Sequence, residues 1–200
     1  MAIGLYQLKY PVRRLIQGIL PMCKNISPNL ISSLLIPIGI VTAYCYLHAA
    51  NGHPDFYLIA IALCVLRMFF GTLDGLVAEH FNKTGPVGEI MNRLTPEVAD
   101  VMVMGAIACA NPKWLVPGVI AMGMSWMITF SGLIGLLVEK PIQSVGPAGQ
   151  TDRLVALCVF SLLAYLSSVY AWHVDFIAIF LYWVIIGGTL TVGLRLKKVV

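Results

Sequence analysis

GTLDGLVAEHFNKTGPVGEIMNRLTPEVAD, residues 71–100, carries Asp74, Glu79, Glu89, Glu97 and Asp100, five of the nine acidic residues in the chain. The sequence on either side is apolar: FYLIAIALCVLRMFF leads into it from residue 56, and VMVMGAIACA leaves it at residue 101. Two hydrophobic runs that turn polar where they meet predict two helices joined by a short loop around Lys83. A carboxylate in a spanning helix costs a few kcal/mol on insertion scales, so acids gathered here point to a function or a water-filled cavity.

The rest of the chain supports a membrane setting. Of its 200 residues, 59% are hydrophobic and 11% charged, against about a quarter charged in soluble domains. At roughly 20 residues per crossing, the apolar runs predict an all-α membrane protein with six transmembrane helices. The spans are placed at Leu30–Ala49, Phe56–Glu79, Gly88–Ala110, Trp114–Val138, Leu154–Tyr170 and Val174–Leu194. The fourth is the clearest, and the third is the least clear because its first half is polar. Without a repeat, a low-complexity tract or a dividing linker, residues 1–200 read as one domain.

Residues 1–28 read as an interfacial or juxtamembrane segment. Within it LYQLKYPVRRLIQGIL, residues 5–20, mixes apolar residues with Lys9, Arg13 and Arg14, as an N-terminal helix lying in the interface plane would. Pro11 opposes one long helix there, and a plain basic flank is the other reading. No short apolar stretch followed by a small-residue cleavage site is found, so the first span is expected to be an uncleaved anchor. NISPN, residues 25–29, is a turn that starts that span, with Pro28 at its first positions.

Lys and Arg set the orientation, because cytoplasmic loops carry their excess. Lys9, Arg13, Arg14, Lys24, Lys83, Lys140, Arg153, Arg195, Lys197 and Lys198 fall on one side and Lys113 on the other. Both termini are therefore expected in the cytoplasm, with the chain in the cell (inner) membrane. Membrane lipids with anionic headgroups account for the net charge of +4, and no nucleic-acid partner is implied. Cys23, Cys45, Cys64, Cys109 and Cys158 are scattered without a CxxC pair and read as apolar fillers. His48, His53, His80 and His173 show no ligand spacing. Trp114, Trp172, Tyr170 and Tyr57 stand near the outer span ends, where amphipathic aromatics anchor.

Within the central stretch, Arg67, Gly71, Asp74 and Ala78 share a helix face. Arg67 then offers its cation either to Asp74, as an internal pair, or to a phosphate. Gly71 and Gly75 form a GxxxG pair that lets another helix approach Asp74. In the next helix Glu89, Asn92, Arg93, Pro96 and Asp100 fall on one broad face, with Glu97 about 100° from Pro96. Oxygen donors of this kind suit Mg or Mn when phosphate supplies further ligands. Polar residues that merely begin a helix near water are the other reading, which fits Glu89 and Asn92 better than Asp74 or Asp100.

These residues resemble the CDP-alcohol phosphatidyltransferases. That family has six membrane helices and the pattern Asp-x-x-Asp-Gly-x-x-Ala-Arg, then after a short gap Gly-x-x-x-Asp-x-x-x-Asp. Asp74, Gly75, Ala78 and Gly88 match the family's second Asp, first Gly, Ala and second Gly. Gly71, Glu79, Asn92 and Pro96 stand where the family has Asp, Arg, Asp and Asp. The resemblance continues through NISPNLISSLL, the span layout and the loop SVGPAGQTDR, residues 144–153. There Gly146, Gly149 and Arg153 suit contact with phosphate, although a glycine-proline turn with a positive-inside arginine is equally consistent.

The resemblance implies an enzyme of phospholipid biosynthesis that moves a phosphatidyl-type group from a CDP-linked lipid to an alcohol and releases CMP. With three of four aspartates replaced, it implies an atypical member. Asp74 is the expected main metal ligand, helped by Glu89 and Asn92. Asp100 or Glu97 is the expected base; Gly75, Ala78, Gly88, Arg67 and Arg153 are expected to contact the nucleotide-lipid. The alternative is a catalytically inactive relative that binds lipid or nucleotide or assembles with a partner. A transporter or channel has only polar residues in spans to support it, without an inverted repeat. Small-residue faces at Gly132 with Gly135 and at Gly187 with Gly188 would permit a homodimer.

Overall fold

The structure is a computed structural model that describes residues 16–199. Most of the interfacial helix expected at residues 5–20, with Lys9, Arg13 and Arg14, lies outside the described residues. A short 3-10 turn, Leu20–Cys23, precedes seven helices: α1 Pro28–Ser33, α2 Leu35–Ala50, α3 Phe56–His80, α4 Pro86–Ala110, α5 Pro112–Leu133, α6 Gln150–Tyr170 and α7 Phe176–Val199. A second 3-10 turn, Ile134–Val138, extends α5. Among the described residues there is no strand.

Helices α1 and α2 together make the first span. Pro28 occupies the first turn of α1 after Ser27, where its missing N–H costs nothing. The break at Leu34 has a cause three residues on. Pro37 lacks the N–H that would bond the Ser33 carbonyl, and its ring crowds that carbonyl. The Ser33 hydroxyl turns back to donate to the Leu30 carbonyl at 2.7 Å.

Five runs are long and apolar enough to cross a membrane: Pro28–Ala50, Phe56–His80, Pro112–Val138, Gln150–Tyr170 and Phe176–Val199. Helix α4, at 25 residues, matches the others in length. It falls short in hydropathy because Glu89, Asn92, Arg93, Glu97 and Asp100 sit in its first half. It is shielded by its position: α4 packs against α2, α1 and α5, and Thr95, Glu97 and Asp100 are buried. The least clear span in the sequence is thus a helix that turns Thr95, Glu97 and Asp100 into the bundle and leaves Glu89, Asn92 and Arg93 exposed at its start.

Small residues bring the helices close. A Cβ on Gly39 of α2 would lie 2.8 Å from the Ala99 Cβ of α4, and one on Gly118 of α5 would lie 2.5 Å from the Ala108 Cβ. Between such contacts the core is filled by residues such as Tyr46, Ile107, Phe180 and Leu181, all fully buried or nearly so. The Tyr46 hydroxyl shares a 2.6 Å hydrogen bond with Ser161, as a polar atom deep in a bilayer must. At the end of the bundle away from the polar stretch, Trp114 Nε1 donates to Asp175 at 2.7 Å.

The glycine pairs set aside for a homodimer are used within the chain: Gly188 packs on Met124, Gly187 faces Ala148, Gly132 abuts Arg195 and Gln143, and Gly135 abuts Pro141. Arg195, counted with the charges of the cytoplasmic side, is 6% exposed. Its Nε donates to the Val145 carbonyl at 2.9 Å, and its Nη1 donates to the Ile128 carbonyl. Among the described residues the five cysteines are free thiols.

Candidate functional site

The polar stretch wraps the end of the bundle where α3 finishes and α4 begins. A cavity of about 500 Å³ opens there, lined among others by Ser32, Asp74, Gly75, Ala78, Gly88 and Asn92. Helical spacing brings Asp74, Gly75 and Ala78 to this wall from α3, and Gly88 and Asn92 to the facing wall from α4. The glycines keep the gap open. A Cβ on Gly75 would approach the Asn92 amide nitrogen at 3.6 Å, and one on Gly88 would lie 3.0 Å from Asn29 Oδ1.

Asp74 is 2% exposed. The Ser32 hydroxyl donates to its Oδ2 at 2.6 Å, and the Gly75 amide donates to its Oδ1 at 2.6 Å. Charged-group hydrogen bonds of this sort offset part of the cost of burying a carboxylate. Glu79 and Glu89 also line the cavity, but both are exposed. Arg93 Nη2 lies 3.0 Å from Glu89 Oε1, one turn along the same helix. Lys83 reaches across the mouth to donate to the Lys24 and Ile26 carbonyls at 2.5 and 3.0 Å.

The structure separates the other expected site residues from Asp74. Arg67, Glu97, Asp100 and Arg153 form a second cluster deeper in the bundle, with exposures of 5%, 4%, 9% and 2%. Arg67 Nη1 meets Asp100 Oδ1 at 2.5 Å, and Arg67 Nη2 donates to the Pro96 carbonyl at 2.8 Å. Arg153 Nη2 lies 3.3 Å from Asp100 Oδ2 and 3.6 Å from Glu97 Oε2. Two guanidiniums and two carboxylates thus neutralise one another, which is the condition under which charge is tolerated inside a bilayer. Arg67 pairs with Asp100 and not with Asp74.

Glu97 completes this cluster by turning toward α5 and α6. Its Oε1 accepts from Thr129 Oγ1 at 2.7 Å and from Gln150 Nε2 at 3.0 Å. Helix α4 runs unbroken through Pro96, so Glu97 keeps its 100° offset and does not swing to the Asp74 wall. A smaller cavity, about 260 Å³, lies beyond it, and Asn92 borders both cavities. Ser32, Thr129, Gln150, Asp152 and Arg195 were not singled out from the sequence. For Ser32, the signal was a hydroxyl inside an apolar run four residues after a proline; for the others no local signal existed.

The acidic side chains do not fit a pair of adjacent divalent ions. Among the described residues no three His, Cys, Asp or Glu side chains are grouped to hold a metal ion, and two adjacent ions need several anionic ligands. Asp74 is the buried carboxylate of the larger cavity, and the remaining ligands of a single Mg or Mn would have to come from Asn92, Glu89 and a bound phosphate.

The fold matches solved structures. Phosphatidylinositol phosphate synthase of Mycobacterium tuberculosis, in a crystal structure with CDP-DAG bound, superposes with a TM-score of 0.71 at 13% identity, covering 94% of this chain and 92% of that one. The same enzyme in complex with manganese and citrate gives a TM-score of 0.69 at 13% identity, covering 94% and 88%. At that identity the likeness shows the fold. No curated protein matches the sequence. The family model described as CDP-alcohol phosphatidyltransferase matches residues 25–190, including both helices of the Asp74 cavity. The chain therefore belongs to the CDP-alcohol phosphatidyltransferase family.

Proposed function

We propose that the protein is an atypical CDP-alcohol phosphotransferase of phospholipid synthesis, one domain in the cell (inner) membrane with both termini in the cytoplasm. It would take a CDP-linked lipid and an alcohol and release CMP. The observation that carries this reading is that Asp74, Gly75, Ala78, Glu79, Gly88 and Asn92, six of the eight positions aligned with the family's motif, line one cavity at a single end of the bundle. Ser32 holds the Asp74 carboxylate with one hydrogen bond, which fixes its direction toward the cavity. The glycines leave room for a diphosphate to approach backbone.

In the reaction the alcohol oxygen bonds to the phosphorus of the lipid-linked phosphate, the bond from that phosphorus to the CMP oxygen breaks, and the alcohol proton leaves. Mg or Mn, held by Asp74 with Asn92, Glu89 and the donor's own phosphate oxygens, would supply neutralisation of phosphate charge. Of the two carboxylates considered as base, Glu97 borders a cavity next to Asn92, whereas both oxygens of Asp100 face arginines. Glu97 is therefore the assigned base in this reading, and Arg67, Arg153 and Asp100 hold its surroundings.

A second reading, a relative without turnover that binds lipid or nucleotide or assembles with a partner, is favoured by the mutual neutralisation of Arg67, Arg153, Glu97 and Asp100. CMP release from CDP-diacylglycerol by the purified protein, with Mg or Mn and a panel of alcohols, separates the two. Release that disappears in Asp74→Asn and with a chelator supports the transferase. CDP-lipid binding without release supports the second reading.

A further inference from the structure

At the end of the bundle away from the Asp74 cavity, the starts of α3, α5 and α7 and the end of α6 enclose a separate depression of about 470 Å³. That volume lies within the roughly 300–1,000 Å³ of small-ligand sites. Its walls include Tyr57, Trp114, Ser168, His173, Asp175 and Phe176. Tyr57 is 5% exposed, yet its hydroxyl finds no hydrogen-bond partner among the described residues and opens on this depression. A buried hydroxyl left so costs free energy unless a bound molecule completes it.

The charge of the walls decides what kind of molecule fits. Asp175 is the lining side chain with a fixed formal charge, and among the described residues no cation pairs with it. Trp114 Nε1 donates to its Oδ2 at 2.7 Å and the Ala178 amide to its Oδ1 at 2.9 Å. The carboxylate is therefore held in place with about two of its four lone-pair sites still open. An anion is repelled here. A metal ion would find Asp175 and His173, short of a group of three side-chain ligands. An ammonium can donate to the open sites of Asp175 and to the Tyr57 oxygen, and aromatic side chains such as Trp114, Tyr57 and Phe176 attract a cation over their faces. Beside the depression Tyr170 and Trp172 are stacked at 5.9 Å and exposed, as aromatics are at the headgroup level of a bilayer.

We propose that this depression binds the primary ammonium of an amine-bearing phospholipid in the leaflet opposite the Asp74 cavity, with Asp175 as its counter-ion and the Tyr57 oxygen as a second acceptor. A free alkylamine carries the same chemistry, and the experiment separates the two sources. The site does not depend on whether the chain turns over a CDP-linked lipid.

Native mass spectrometry of the purified full chain in detergent, titrated with phosphatidylethanolamine and with its N-acetylated form, reads the binding. The amine lipid should fill one site at least about threefold more tightly than the N-acetylated lipid, which keeps the phosphate and chains and lacks the cation. Tyr57→Phe removes a hydroxyl that bonds nothing else in the protein and should weaken the amine lipid about threefold or more. Ser168 is exposed, so Ser168→Lys leaves the core intact, places a tethered ammonium at the rim and should weaken it at least as much. Both variants should leave the N-acetylated lipid unchanged. Ethanolamine that displaces the lipid supports the ammonium site with a soluble amine as occupant; lipid binding that ethanolamine leaves intact supports the headgroup. The proposal is overturned by equal binding of the two lipids, or by amine-lipid binding that is unchanged in both variants.

Discussion

Arg67 of α3 and Asp100 of α4 meet at 2.5 Å, Nη1 to Oδ1, and this pair turns the last acidic group of α4 away from Asp74. The pair is buried on both sides, so its two members depend on each other more than on solvent.

Removing one member should therefore be costly. Asp100→Ala leaves Arg67 and Arg153 short of an anion and should destabilise the protein by about 3–5 kcal/mol. Arg67→Met combined with Asp100→Leu should cost less than the sum of the two single changes. Thermal unfolding in detergent across this double-mutant cycle reads the coupling; strict additivity would show that the pair is not coupled.

Ser32→Ala removes the hydroxyl that donates to Asp74 Oδ2. Loss of a hydrogen bond to a charged group is worth about 1.5–3 kcal/mol. Stability should drop by that order, whereas Ser33→Ala, at a half-buried position whose hydroxyl bonds the Leu30 carbonyl of its own turn, should change it less. An unaltered melting temperature in Ser32→Ala would count against a role for this contact in holding Asp74.

Gly39 and Gly146 are expected to resist alanine for different reasons. At Gly39 the new methyl collides with Ala99 across the α2 and α4 contact, an overpacking cost of about 1–3 kcal/mol. At Gly146 the backbone has φ +122, and a Cβ would also run into Thr191, so strain adds to the clash. Gly146→Ala should be the more damaging of the two, while Gly123→Ala, with nothing nearby, should be tolerated. Ranking the melting temperatures of the three variants checks the order.

Manganese binding should depend on the donor lipid. With one buried carboxylate in the cavity, the protein alone should hold Mn weakly. In the transferase reading, CDP-diacylglycerol supplies phosphate oxygens and should raise Mn affinity at least about tenfold, as its own ligands are added. Electron paramagnetic resonance of free Mn during titration measures this. An affinity that does not change when the lipid is added would favour the second reading.

The spans could be read directly because the length of an apolar run is a local property, and each of the six runs is helical near its expected bounds, the first as α1 and α2. The wall of the larger cavity was legible for a similar reason: Asp74, Gly75 and Ala78 on one helix and Gly88 and Asn92 on the next follow from helical period and motif spacing. The partners of Glu97 and Asp100 were not. Nothing in LTPEVAD tells that Asp100 meets an arginine 33 positions earlier and another 53 positions later, or that Thr129 and Gln150 bind Glu97.

The sequence alone determined that this protein would be a bundle of membrane helices with an acidic pole, since bilayer thickness and the cost of charge in hydrocarbon act on each segment separately. Only the tertiary structure decided how those acids were divided. The rotation of α4 about its axis is set by the close seat of Gly39 on Ala99 and of Gly118 on Ala108. A turn of 100° per residue then sets Asn92 between the two cavities, Glu97 at the smaller one and Asp100 against the arginines between helices.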